Sequence, residues 1–480
     1  MDKIPFCIIG LLFASGCVGA HSGNESLRQN KLVKSDLATI YSSKRTAELS
    51  LDEAVGDALV FNLDARIAQE NLLKEMSDKD LQRLNALPDM VAKRDFIKRS
   101  NRGASSSTSV LSGTQSLEPS FSTDRSRRTD LLEANWDVLN AAISLYGSKS
   151  SSDRVKVQGA RYEKVQQNIA MDTFSAFWRA AIAQESKSRV EPMLGDLDSV
   201  ILSVDAAISN GDLAYDRGLS LKSGLVGKRD DVKRRMAQFD LALLELKSLV
   251  AYPLDKDLHL TLPSNWLSEQ GHDFSDDVEH YVSVALELRP EIKEEYLNSK
   301  IAKRDVTLTI LETFPGLDLI AGLNRDDNSF LADDKWFSFS AGVSQSITRL
   351  LTLPSRYKKA KIEASAGDAQ RQALVAAIYS QVYIGKDLLG SSAQFYKEKE
   401  VLHDIERKKF ARVEHSREAG LVGGVEYMDA RLGYEISRLD MLGAFSELQS
   451  ARARFVNTVG YDAHSFYKPQ NEDLLEGGAV

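Results

Sequence analysis

Histidine, aspartate and glutamate come together once in this sequence at spacings that could suit a divalent cation, at His272, Asp276, Asp277, Glu279 and His280. Imidazole and carboxylate donors hold a metal when a rigid frame makes them converge, but these five lie in a polar connection. With seven histidines in the whole chain and no cysteine near this group, the stretch reads as a solvated linker. There is no glycine loop of the nucleotide-binding kind, no His-Glu-x-x-His and no glycine-flanked serine of the hydrolase type. The expectation is a protein that is not an enzyme and uses neither metal nor cofactor.

Cys17 invites chemistry of another kind. Lys3 precedes the apolar run from Ile8 to Phe13, and the small residues Ala14-Ser15-Gly16 lead into Cys17. The run is too short to span a bilayer and reads as a secretory leader. Small residues just before a cysteine are the pattern of a bacterial lipoprotein signal, residues 1–16, after which Cys17 becomes the first mature residue and carries acyl chains. Several acyl chains, at about 0.8 kcal/mol per buried CH₂, anchor a protein stably. The only other cysteine, Cys7, lies in the leader, so the mature chain has no pair to bridge.

The chain has 480 residues, 43% hydrophobic and 27% charged, with a net charge of −8. That length suits two or more ordinary domains, and the composition has no bias toward disorder. Sixty-one Lys and Arg diluted by 69 carboxylates disfavour nucleic acid, which needs clustered base. Ten prolines and 29 glycines are few for a fold made wholly of short strands and turns. Past residue 20 no uncharged apolar run is long enough for a transmembrane helix.

A polar linker, 17–49, gives way to Ser50-Leu51-Asp52-Glu53, a capping box that opens a helix, and Asn62 can cap the next one. About 230 residues later the run from His280 to Ile292 repeats the theme, with Pro290 in the first turn of the second helix. After each opening come a proline (Pro88, Pro315), a region rich in Ser, Gly and Asp, strand-like alternation and a very long helical stretch. This is an internal duplication: repeats at 50–252 and 280–462, a linker at 253–279 and a tail at 463–480. In the second repeat, Phe337, Phe339, Ala341 and Val343 alternate with small polar residues, and Leu317, Leu319, Ala321 and Leu323 supply a partner strand, within about 316–347. In the first, Leu139, Ala141, Ile143 and Leu145 alternate, and the Ser/Thr-rich stretch 105–122 is expected to supply the other strand, within about 105–146. Helical hairpins are expected over about 148–252 and 355–460, with apolar steps of three and four. Two offset seams on one helix, Leu432-Ile436-Leu439 and Met441-Phe445-Leu448, let it touch neighbours on both sides, whereas the charged run from Lys228 to Arg235 reads as a solvated face.

Taken together, Leu51-Asp52-Glu53-Ala54-Val55 with Ala58-Leu59 and Asn62, the second opening Ala285 to Glu291, and Glu418 to Val422 followed by Glu426 to Ala430 resemble TolC-like outer-membrane efflux proteins. The resemblance covers about Ser50 to Asp462. It implies a mainly α fold with a transmembrane β-barrel portion: a homotrimer in which four strands per chain close a twelve-stranded barrel and the helices form a tunnel into the periplasm. It further implies a lipid-anchored conduit in the Gram-negative outer membrane, serving an inner-membrane transporter through a periplasmic adaptor protein in efflux or type I secretion. A lipid-tethered periplasmic coiled-coil scaffold without a pore is the alternative.

In that family the hairpin turns form the closed periplasmic end and its docking tips. The resemblance puts these turns at Asn210-Gly211-Asp212 and Gly420-Leu421-Val422, where Gly or Asn can take the left-handed conformation. Glu426 and Asp429 fall on the two acidic gate positions, one helical turn apart. Arg417 stands where the prototype has an aromatic and Val422 where it has a base, so the pairing scheme is expected to differ. Asp216 is the corresponding acid of the first repeat.

Overall fold

The computed structural model describes residues 22–41, 47–115, 118–262, 266–267, 274 and 277–462; Cys17, His272 and Asp276 lie outside them. The polar N-terminal stretch is helical over Ser22–Ile40 (α1), where a linker was expected. A two-residue strand, β1 (Glu48–Leu49), leads into α2 (Leu51–Phe61) and α3 (Leu63–Leu84). The capping box forms as expected: Glu53 N donates to Ser50 Oγ at 3.4 Å and Ser50 N to Glu53 Oε2 at 2.9 Å. Asn62 caps α3 through Asp64 N at 2.8 Å.

Strand β2 (Asp89–Lys98) follows, then a two-residue pair, β3 (Ala104–Ser105) with β4 (Ser120–Phe121), and β5 (Ser126–Asp137). The first-repeat strands therefore differ from the expectation. The alternating Leu139 to Leu145 belong to a helix, because Asp137 Oδ1 accepts from Asn140 N at 2.9 Å and starts it one residue after Asp137. The stretch 105–122 holds only the short β3–β4 pair and one bridge, and the long partner of β5 is β2.

Helix α4 (Val138–Ser209) runs for 72 residues, through Pro192, and α5 (Tyr215–Leu249) returns beside it. A short strand, β6 (His259–Leu260), pairs in parallel with β1. The second repeat is α6 (Val278–Leu288), α7 (Pro290–Leu311), β7 (Gly316–Asp326), β8 (Lys335–Ser344), α8 (Ile347–Glu418) and α9 (Gly424–Val459). Helix α8 starts before Pro354 rather than after it. Ser346 Oγ caps it through Arg349 N at 3.3 Å, and a proline near the start removes one bond from a ladder 72 residues long. The helices of the two repeats match in length, 11, 22, 72 and 35 residues against 11, 22, 72 and 36. Each 72-residue helix is about 108 Å long at 1.5 Å per residue.

The main sheet is antiparallel in the order β2-β5-β7-β8. Helices α3, α4, α7 and α8 pack side by side in the matching order beneath it, and farther along α5, α4, α9 and α8 form the wall. The core runs between these helices. Trp178 meets Phe445 edge-on at 5.3 Å and stacks with Trp266 at 5.9 Å. The two seams of α9 do part company, Leu432 and Leu439 packing with Met193, Leu197, Leu225 and Val232, and Met441 and Phe445 with the Trp178 cluster. The run Lys228 to Arg235 is not wholly a solvated face: Arg229 reaches Asp198 of α4 at 3.1 Å and Arg235 reaches Asp440 of α9 at 2.7 Å.

The break between α6 and α7 is where the repeats are tied together. Gly460, at φ +88°, ends α9 against it, and an added Cβ would lie 2.8 Å from Arg289 Cγ and 3.0 Å from Arg289 N. The Arg289 guanidinium donates to Gln381 at 2.7 Å and Glu291 at 3.0 Å, and Lys164 of α4 reaches Glu291 at 3.0 Å. Burial alone would raise the Glu291 carboxyl, but Arg289 and Lys164 outweigh it and hold it at about 2.

Two outcomes follow. Gly460→Ala should destabilise the fold by about 1–3 kcal/mol, while Gly195→Ala on an open helix surface should stabilise it by about 0.5–1 kcal/mol, as read by denaturant melts. Because the folded-state Glu291 pKa lies below its ordinary 4.5, its contribution is full above that pH and fades as pH falls toward about 2. Glu291→Gln should flatten the acid limb of a stability-against-pH curve.

Candidate functional site

The two hairpin turns are built from the same device. At the end of α8, Ala419 closes the helix, Gly420 takes φ +74°, and Leu421 N donates back to Ser416 O at 2.9 Å, a Schellman closure. At the end of α4, Asn210 closes the helix and Gly211 takes φ +81°. Asp212 is exposed, Leu421 is 79% exposed and Val422 half-buried. Gly218, one turn into α5, is buried, and an added Cβ would lie 2.4 Å from Ile208, so the first turn closes tightly.

Glu426 and Asp429 both stand exposed in the first turns of α9, and Asp216 stands exposed in the first turn of α5. The three do not share a level. Lys228 Nζ donates to Asp429 Oδ1 at 2.6 Å, so the thirteenth residue past the start of α5 is level with the fifth past the start of α9. Arg235, twenty past the start of α5, likewise meets Asp440, sixteen past the start of α9. At 1.5 Å per residue the Asn210-Gly211-Asp212 turn projects about 6–12 Å beyond the Gly420 turn, and Asp216 lies about 8–14 Å along the axis from Glu426. The acids thus form two levels, one at the outer tip and one recessed.

Arg417 faces an aromatic ring from its own chain: its Cζ is 3.9 Å from the Tyr427 centroid. From there a ladder of rings zips α8 to α9, Tyr427 to Phe410 at 5.6 Å, Phe410 stacked on Tyr434 at 5.4 Å, and Tyr434 on His403 at 5.1 Å. Burial and then the Arg438 charge push the His403 pKa down. Sequence reasoning missed Lys228 as the partner of Asp429; its signal was the basic run itself, set where α5 must face α9. Glu279, in the stretch read as a solvated linker, accepts from Tyr383 Oη at 2.5 Å, and no group of three His, Cys, Asp or Glu among the described residues is placed to hold a metal.

The sheet has two unlike faces. Register puts Leu317 with Val343, Trp136 with Leu319 and Ala341, Met90 with Ala134, Ala321 and Phe339, and Ala92 with Leu132, Leu323 and Phe337 on one face. The other is mainly polar, carrying Asp89, Glu133, Asn135, Asp318, Ser338 and Ser340 among Val91, Leu131, Ile320 and Trp336. Phe337, Phe339 and Val343 are 65%, 64% and 74% exposed, so nothing described in this chain covers the apolar face. Strands of 10 to 12 residues have the length of a tilted membrane strand.

The Lys228–Asp429 pair is half-exposed and should show a coupling of about 0.2–1 kcal/mol in a double-mutant cycle of Lys228→Ala and Asp429→Ala, shrinking with salt.

No family model matches the chain, and no curated protein does. Solved structures do. The Campylobacter jejuni CmeC outer membrane channel aligns at 11% identity over 88% of this chain and 90% of that one, with a TM-score of 0.68. The open state of the Neisseria gonorrhoeae MtrE outer membrane channel aligns at 16% identity over 85% and 88%, with a TM-score of 0.66. The Vibrio cholerae outer membrane protein VceC aligns at 12% identity over 85% and 96%, with a TM-score of 0.62. At such identities the likeness is one of architecture, and the architecture of this chain is that of the TolC-like outer-membrane channels.

Proposed function

We propose that the chain is one protomer of a homotrimeric outer-membrane channel that passes substrate outward from an inner-membrane transporter, engaged through a periplasmic adaptor, and that it performs no catalysis. The observation that carries this is the four-stranded sheet with one apolar face, one polar face and no further strand beside β2 or β8 among the described residues. Pairing β8 of one copy with β2 of the next satisfies both edges, turns the apolar face to lipid and leaves the polar face around water. Three copies give the twelve strands that the resemblance implies.

The helices support the same closure. On one flank α8 exposes Ile384, Leu388, Phe395 and Ile405; on the other, α3 exposes Ile67 and Leu81, and α5 exposes Leu241. Two different flanks that cover each other make a head-to-tail ring. Acylated Cys17 would add an anchor. The exposed turns at Asn210-Gly211-Asp212 and Gly420-Leu421-Val422 would meet the adaptor, and the recessed carboxylates Glu426 and Asp429, tripled by symmetry, would narrow the tunnel with Arg417 and Lys228 beside them. A tethered scaffold without a pore has no use for an uncovered apolar sheet face. Purified protein should run as a heat-modifiable trimer and conduct in planar bilayers; a monomer that never conducts would overturn the reading. Glu426→Ala with Asp429→Ala should raise single-channel conductance, whereas unchanged conductance would remove these acids from the gate.

A further inference from the structure

At the end of the sheet away from the helices, the apolar band stops at a charged rung. Beyond the row Ala92-Leu132-Leu323-Phe337, on the same face and about 7 Å farther along the strands, the next row reads Arg94, Asp130, Arg325 and Lys335. One row beyond, Arg128 stands opposite the exposed Phe96, its Nε 3.8 Å from Asp130. Arg94 forms a two-point pair with Asp130, Nε to Oδ1 at 2.5 Å and Nη2 to Oδ2 at 3.3 Å, and Arg325 lies 3.7 Å from Asp334. Four cations thus meet two carboxylates, and Arg94 and Arg325 keep 60% and 48% of their side-chain surface exposed. A groove of about 780 Å³ spans the two rows, lined by the apolar row, by Arg94, Asp130, Arg325 and Lys335, and also by Lys93 and Trp336.

Given the barrel proposed above, on which this rests, we infer that the groove seats a phosphorylated lipid of the distal leaflet, acyl chains against the apolar row and phosphate against Arg94, Arg325 and Lys335. The chemistry is complementary at both ends. A planar guanidinium matches a phosphate through two N–H donors, and a cation at the edge of an apolar band meets the layer where lipid phosphates lie. The excess of cations in the rung, pressed against an apolar row, leaves positive charge that Asp130 and Asp334 do not cancel. The opposite face at the same level carries Lys93, which is paired with Asp95 at 2.8 Å.

The test uses the full-length protein in neutral detergent, titrated with bis-phosphorylated lipid A, its dephosphorylated form, or inorganic phosphate, with binding read by native mass spectrometry. Wild type should bind the phosphorylated lipid at least about tenfold more tightly than the dephosphorylated one. A protein carrying Arg94→Gln, Arg325→Gln and Lys335→Gln should lose that preference, and Lys358→Gln, exposed on α8 and outside the groove, should keep it. Equal binding of both lipids by wild type, or an unchanged preference in the triple variant, would overturn the inference, and displacement of the lipid by millimolar inorganic phosphate would replace the lipid by a free-anion site. Conductance in neutral phosphatidylcholine bilayers separates the two readings: if wild type conducts and the preference is missing, only the lipid site falls; if wild type neither inserts nor conducts, the barrel falls with it.

Discussion

A four-stranded sheet ends in two rows of backbone N–H and C=O groups, and here those rows belong to β2 and β8, strands of equal length at opposite sides. In water such edges are a liability; in hydrocarbon they are not tolerated, because each unpaired group costs several kcal/mol. One face of the sheet is apolar and uncovered while the other is polar, so the free edges border a surface suited to lipid. The closure on further copies proposed above would satisfy the edges and both faces together. The rest of the architecture has to serve that closure, beginning with the order of the helices, which repeats the order of the strands above them.

Duplication makes the order workable. Each repeat delivers two strands and a helical hairpin of matched length, so the strands of both repeats reach the sheet at the same height and the wall continues the sheet without a seam. Matching is not complete at the far end, where the Lys228–Asp429 and Arg235–Asp440 pairs set the α5 turn about 6–12 Å beyond the α9 turn. That offset splits the acids between two depths. A partner that grips the tip meets Asp212 and Asp216 first, while Glu426 and Asp429 sit deeper, beside the Arg417–Tyr427 contact and the ring ladder that clamps α8 to α9.

Much of this was legible in the sequence. Capping residues such as Ser50, Glu53, Asn62 and Pro290 fixed the short helices, the near-absence of proline fixed the long ones, and Gly420 and Gly211 marked the turns because only left-handed backbone closes them. The second-repeat strands were legible because Phe337, Phe339, Ala341 and Val343 alternate without interruption. What could not be read was pairing between distant segments. Lys228 looks like any basic residue on a helix until α9 is laid beside it, and no single-segment periodicity reports that. The first-repeat strands were hidden for a different reason: β2 reads Asp-Met-Val-Ala-Lys-Arg-Asp-Phe-Ile-Lys, and its alternation is broken by charge.

That break is itself informative. A strand wholly inside a soluble sandwich would keep its apolar face apolar to the end, since a charge there would be buried without a partner. In β2 and β5 the apolar face turns to Arg94 and Asp130, with Arg128 opposite Phe96 one row beyond, and in β7 and β8 it turns to Arg325 and Lys335 at the height of Arg94. Four strands from two repeats gaining charge at one level fit an external boundary that all of them would cross in the proposed barrel better than four separate loop approaches. In the barrel proposed above, the charges that concealed the strands from a reading of periodicity would mark the place where the hydrocarbon layer stops and set the height of the band that the closed sheet presents to it.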